Sequence, residues 1–145
     1  MTDLHIPPAG VYPHGQDARQ NFVSVLDLID RVHPIDMVVI TGDLAHDTLD
    51  ASICLWIDSC LSSYEVPVYY TSGNHDSPQQ LAKLGAYTGG LKDGELYYAF
   101  QEEDRMFIFL DTTQHAVSDK QLTWLASILT ACSQDRTHPY VFMHH

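Results

Sequence analysis

Val66-Pro67-Val68-Tyr69-Tyr70-Thr71-Ser72-Gly73-Asn74-His75-Asp76 is the stretch on which the fold turns. Its first half, Val66–Tyr70, reads as a strand: short, β-branched and aromatic, with turn residues beyond it. Its second half sets Gly73, Asn74, His75 and Asp76 just past that strand's carboxyl end. In open α/β sheets, this edge is where ligands bind. The same arrangement recurs on both sides. Upstream, Asp36-Met-Val-Val-Ile-Thr41 is a continuous apolar run, as expected for a strand buried on both faces, and Gly42-Asp43 follows it directly. Downstream, the Tyr140–Met143 strand ends in His144-His145, and Asp3-Leu-His5 opens the chain.

Helical patterns fill the intervals. Pro7, Pro8, Gly10, Pro13 and Gly15 mark a loop, after which Phe22, Val25, Leu26, Ile29 and Val32 recur at helical spacing. That predicts an amphipathic helix over 17–32, stopped by Pro34. Ile53, Trp56, Ile57, Cys60 and Leu61 write a second helix. Ser77-Pro78 has the form of a cap followed by proline at the first helical position. A glycine-rich connection (Gly85, Gly89, Gly90, Gly94) follows. Leu96–Gln101 and Arg105–Leu110 bracket the acidic turn Glu102-Glu-Asp104 as a hairpin. Ser118-Asp-Lys-Gln121 is a capping-box pattern opening a helix through Leu122, Leu125, Ile128 and Leu129. The alternation predicts an α/β fold with helices packed on a largely buried sheet, in one domain spanning 1–145.

Composition narrows the function classes. Seven basic against nineteen acidic side chains give a net charge of −12, which repels polyanions and argues against nucleic acid as a partner. Most of those carboxylates are a solvated surface. No apolar run is long enough to cross a membrane, and no signal-peptide pattern precedes the fold. Cys54, Cys60 and Cys132 follow no metal-binding spacing; they read as small hydrophobes in a reducing compartment, and the expected location is cytoplasmic.

The donor types at the strand ends are informative together. Carboxylate, amide oxygen and imidazole suit Mn, Fe, Zn, Co or Ni better than Ca or Mg, and the absence of thiolate speaks against a structural zinc site. Each motif alone has an ordinary reading. Asp3-x-His5 can be a solvated terminus, Gly42-Asp43 a turn, Asn74-His-Asp76 a turn with a cap, and His144-His145 a terminal pair. Four such motifs on one sheet edge make the joint reading a metal site. His14, His33, His115 and His138 read as solvated loop or helix-end residues, and His46 and Asp47 as cleft-lining rather than ligands.

Asp3-x-His5, Gly42-Asp43, Gly73-Asn-His-Asp76 and His144-His145 resemble, in order, four of the five signature blocks of the calcineurin-like metallophosphoesterase superfamily. The flanking text (Thr-Asp-Leu-His, Thr-Gly-Asp-Leu-Ala, Val-Phe-Met-His-His) is most similar to the class III cyclic-nucleotide phosphodiesterases and glycerophosphodiesterases. Phe109-Leu-Asp-Thr112 and the Gln121-Leu-Thr-Trp-Leu125 helix also look like the stretch before the fourth block. The resemblance implies a layered sandwich of β-sheets flanked by helices. It also implies two divalent or mixed-valence transition-metal ions and hydrolysis of a small phosphodiester by a metal-bridging hydroxide. Asp3 and His5 would bind the first metal, Asp43 would bridge, and Asn74 and His144 would bind the second. His75 would stabilise the transition state or protonate the leaving alkoxide, with Asp76 orienting it. The fifth block, Gly-His-x-His, is absent, and relatives carry a full strand before the first block. The expectation is therefore the N-terminal portion of a longer domain, incomplete at both ends. Two rival readings stand beside this one: a catalytically inactive fragment or binding module of the same fold, and a nuclease of the same superfamily.

Overall fold

The computed structural model describes residues 1–32, 35–64, 66–84 and 91–145. Pro34, His33, Gly85, Gly89 and Gly90, all singled out in the sequence, lie outside them. The elements in order are α1 (Ala18–Val32), β1 (Val38–Thr41), α2 (Ala51–Leu61), β2 (Val68–Thr71), α3 (Pro78–Leu81), β3 (Tyr98–Glu102), β4 (Arg105–Phe109), α4 (Asp119–Asp135) and β5 (His138–Phe142). The architecture is α/β, as expected, with the strands divided between two sheets: β1–β2, and β3–β4–β5.

β1 and β2 are parallel, with Val38 opposite Val68 and Thr41 opposite Thr71. β2 starts two residues later than its apolar run because Pro67 has no N–H; its carbonyl instead accepts from Val38 N at 3.0 Å. The N-terminal segment runs beside β1. Asp3 N, His5 N and Ile6 N donate to Gly42 O, Asp43 O and Leu44 O at 3.2, 3.0 and 2.8 Å. Three chain segments thus end side by side. In the second sheet β3 and β4 form the expected hairpin, and β5 joins β4 in parallel.

The two sheets are joined by a side chain. Tyr98 on β3 donates its hydroxyl hydrogen to Tyr70 O at 2.8 Å and accepts from Tyr70 N at 3.0 Å, satisfying a main-chain pair on β2. Burial raises the pKa of both phenols, so Tyr98 stays a donor throughout the ordinary pH range. Around it, Tyr98 stacks on Phe109 at 4.5 Å, Tyr69 on Phe100 at 4.4 Å, and Phe109 on Phe142 at 5.0 Å. These offset aromatic contacts form the inter-sheet layer.

The helices cover this core less completely than their patterns predict. α2 buries Ile53, Ile57 and Leu61 of its stripe but only half-buries Trp56 and Cys60, with Cys54 buried beside them, and its N-cap Asp50 accepts from Ser52 N and Ile53 N. α1 buries Phe22 and Leu26 but leaves Val25 exposed. On α4, Leu122 and Leu129 are exposed, while the polar Gln121 is fully buried. The reason is hydrogen bonding: Gln121 Oε1 accepts from Asp111 N at 2.9 Å and its Nε2 donates to Asp111 O at 3.0 Å. The capping box is accordingly half made. Ser118 Oγ accepts from Gln121 N at 3.3 Å, but the Gln121 side chain is spent on Asp111. The largely buried sheet holds for β2 and fails for β5, where Tyr140 and Val141 are exposed.

Candidate metal centre

Gly42 and Asp43, immediately after β1, both adopt left-handed backbone conformations, with φ of 88° and 52°. Asp is one of the few side chains that tolerates this region, whereas Gly42 has a steric reason to be glycine. A Cβ there would lie 2.8 Å from the His144 ring and 2.7 Å from Gly73 N. Gly73, at the end of β2, is under the same constraint: a Cβ would run into the Asp43 carboxylate. The two strand ends therefore touch through their backbones, and this close approach aims Asp43 at the centre of the sheet edge.

Three imidazoles converge on one oxygen of Asp43. Nε2 of His144 lies 3.4 Å from Oδ2, Nε2 of His5 3.8 Å, and Nε2 of His75 4.0 Å. The other oxygen, Oδ1, accepts from His75 N at 3.1 Å. Asp3 joins from the rim, with Oδ1 3.6 Å from His5 Nε2. Two sets of donor atoms each lie within 4.8 Å of one another: Asp3, Asp43 and His144, and His5, Asp43 and His75.

The orientation of two rings is decided by their second nitrogens. His144 Nδ1 sits 2.7 Å from Thr41 O, and His75 Nδ1 sits 3.1 Å from Asp47 O. A carbonyl only accepts, so each Nδ1 carries the hydrogen. In the neutral ring Nε2 then presents a lone pair to an Asp43 carboxylate oxygen. Electron pair facing electron pair is repulsive unless a proton or a cation lies between. A ring nitrogen tethered to a main-chain carbonyl with its partner nitrogen free is also the usual setting of a metal-bound histidine. The donor set thus fits cations. Asp43 is common to both sets, and Asp3 lies close to His5 as well as within the set that holds His144. Asn74 is exposed at the end of β2, one residue before His75.

Asp76 takes a different place from the one expected. It is buried, accepting from Leu44 N at 2.9 Å through Oδ1 and from Gly73 N at 3.0 Å through Oδ2. It therefore ties the β1 end to the β2 end, and the group on His75 is the Asp47 carbonyl. Burial pushes the Asp76 carboxyl up to about 6, partly offset by those two N–H donors.

The calcineurin-like phosphoesterase profile matches residues 1–144. The chain belongs to the calcineurin-like phosphoesterase family. Among curated relatives of this chain, a probable cyclic nucleotide phosphodiesterase of Fibrobacter succinogenes is 29% identical over 125 residues, covering 86% of this chain and 48% of that protein. Another, from Colwellia psychrerythraea, is 37% identical over 86 residues, covering 57% of this chain and 32% of that protein. The chain spans about half the length of the first and a third of the second.

Other residues lie around these donors. Thr112 Oγ1 accepts from His144 N and His145 N, both at 3.3 Å, and so seats the end of β5. His115, read as a solvated loop residue, packs its ring on His145 at 4.6 Å, and His138 lies within β5. His46 packs edge-on against His5 with ring centroids 5.9 Å apart, consistent with a place beside the ligands. A separate cleft of about 360 Å³, lined by Pro78, Glu95, Asp111 and Gln121 among others, includes none of the expected ligands. The donors sit instead in an open basin, where the Asp3 side chain is about half exposed. No helix among the described residues is long and apolar enough to cross a membrane.

Proposed function

We propose that the protein hydrolyses small phosphodiesters, of the cyclic-nucleotide or glycerophosphodiester type, at a two-cation centre built on Asp43. The observation that carries this reading is the convergence of three imidazole Nε2 atoms on Asp43 Oδ2, two of them with the hydrogen held on Nδ1. Asp3, His5, Asp43, Asn74 and His144 hold the cations, drawn from Mn, Fe, Zn, Co and Ni by the mixed carboxylate, amide and imidazole set. Bound cations would supply electrophilic activation of the phosphoryl group and a water of lowered pKa.

The chain's own groups do the rest. Asp43 orders the centre, because one carboxylate oxygen faces the imidazoles and the other fixes the backbone of His75. His75, partly exposed at the rim, is the proton donor to the departing alkoxide; a well-placed acid of this kind contributes roughly 10²–10⁴-fold. Asp76 acts from below by locking the two strand ends together. Both relatives are described as probable cyclic nucleotide phosphodiesterases, which supports the substrate class. The net charge of −12 disfavours nucleic acid. The free thiols fit a reducing compartment, and we assign the protein to the cytoplasm.

The test is a calorimetric titration with Mn²⁺ and Zn²⁺, followed by assays on bis-p-nitrophenyl phosphate, cyclic nucleotides and duplex DNA. Metal uptake with cleavage of the small diesters and not of DNA is the expected result. A metal-loaded protein that leaves every small diester intact ends this reading.

A further inference from the structure

His75 is held by a single short segment of chain, through one carboxylate and two main-chain groups. His75 N donates to Asp43 Oδ1 at 3.1 Å, His75 O accepts from Leu49 N at 3.2 Å, and His75 Nδ1 donates to Asp47 O at 3.1 Å. Asp43 and Asp50 thus bound a segment that grips His75 at its amide, its carbonyl and its ring. The segment is anchored at both ends. His46 N donates to Ile6 O at 3.1 Å, and Asp50 caps α2 through Ser52 N and Ile53 N at 2.8 and 2.9 Å. Leu49, 2% exposed, buries the far end of the segment in the core.

We propose that Asp47 and Leu49 are positioning residues for His75, acting through their main-chain carbonyl and N–H rather than their side chains. The Asp47 carbonyl holds the ring hydrogen on Nδ1 and leaves Nε2 facing Asp43 and the basin. The Leu49 N–H fixes the peptide unit that carries the ring. His5 provides the contrast: its Nδ1 is buried with no hydrogen-bond partner among the described residues, so nothing comparable there sets its tautomer. Free imidazole side chains favour the hydrogen on Nε2, so the clamp imposes the less common form. The main-chain hydrogen bonds are independent of the function proposed above, while their catalytic consequence rests on it.

The decisive experiment replaces the Thr48 amide by an ester, by incorporating the corresponding α-hydroxy acid. This turns the Asp47 carbonyl into an ester carbonyl, a weaker acceptor, without altering any side chain. Thr48 N–H donates to no acceptor among the described residues, so its loss adds little. Nitrogen-15 spectra of the histidine rings, recorded at a pH where His75 is neutral, should give hydrogen on Nδ1 in the unaltered chain and a shift toward Nε2 in the ester. With cation supplied, turnover of bis-p-nitrophenyl phosphate should fall about five- to tenfold at unchanged KM, the scale of one hydrogen bond. Asp47→Ala keeps the carbonyl and should leave the His75 spectrum as it is. Hydrogen on Nε2 in the unaltered chain, an ester indistinguishable from it, or loss of the Nδ1 form in Asp47→Ala would each overturn the proposal. An unaltered chain with the Nδ1 form that cleaves no diester refutes the function and leaves the clamp standing.

Discussion

The floor and the rim of the basin are built on different principles. On the floor, Asp43 and Asp76 are buried and His144 is half-buried, and each is tied to main chain: Asp43 to His75 N, Asp76 to Leu44 N and Gly73 N, His144 to Thr41 O. On the rim, Asp3 and His5 are far more exposed; the Asp3 carboxylate is held by Thr2 Oγ1 at 2.6 Å, and His5 Nδ1 has no hydrogen-bond partner among the described residues. The floor is preorganised by the same hydrogen bonds that fold the strand ends. The side chains of the rim are held by fewer bonds. Effects on the floor should therefore register in stability and binding together, and effects on the rim in binding alone.

The largest effect expected is on rate. His75→Ala should slow diester turnover by roughly 10²–10⁴-fold while changing Mn²⁺ affinity far less, measured by steady-state kinetics beside calorimetry. Equal losses of both would make His75 a ligand, as its grouping with His5 and Asp43 permits. Gly73→Ala attacks the floor directly, since the added methyl meets the Asp43 carboxylate. It should lower metal affinity by about 10–100-fold and cost about 1–3 kcal/mol of stability, read by titration and thermal melting. Asp3→Ala should weaken binding on the same scale and leave the melting curve of the metal-free protein unmoved; a melting shift as large as that of Gly73→Ala would erase the distinction between floor and rim.

Farther from the basin, Tyr98→Phe removes the hydroxyl that serves Tyr70 N and O, and should cost about 1–3 kcal/mol without a direct effect on metal affinity. The smallest effect belongs to Cys54 on α2. Burial first, and the nearby Asp50 second, push its thiol up to about 11 from an ordinary value of about 9. A raised pKa means that the protonated form is favoured by folding. That stability is complete below about pH 9 and is lost as pH rises through about 11. Cys54→Ala should flatten the alkaline limb of melting temperature against pH, and in the unaltered chain Cys54 should resist alkylation near neutral pH.

The sequence by itself determined the alternation of strands and helices, the placement of Gly42-Asp43 and Gly73–Asp76 at strand ends, and the family. These are local or periodic properties: a strand followed by a polar tip is legible wherever apolar residues stop and turn residues begin. It also shows why Ser77-Pro78 opens a helix, since cap and first-turn proline are neighbours in the chain. Tertiary structure alone decided the partners of polar groups far apart in sequence. Whether Gln121 closes its own cap or bonds Asp111, whether Asp76 faces His75 or ties two strand ends together, and which carbonyl holds each imidazole all depend on distances between segments that the pattern leaves free. The same holds for exposure: the Leu122 and Val25 positions carry a helical apolar stripe, but a stripe is buried only where another element lies against it. Periodicity fixes which face of an element is apolar. The packing of elements fixes what that face, and every donor and acceptor beside it, finally meets.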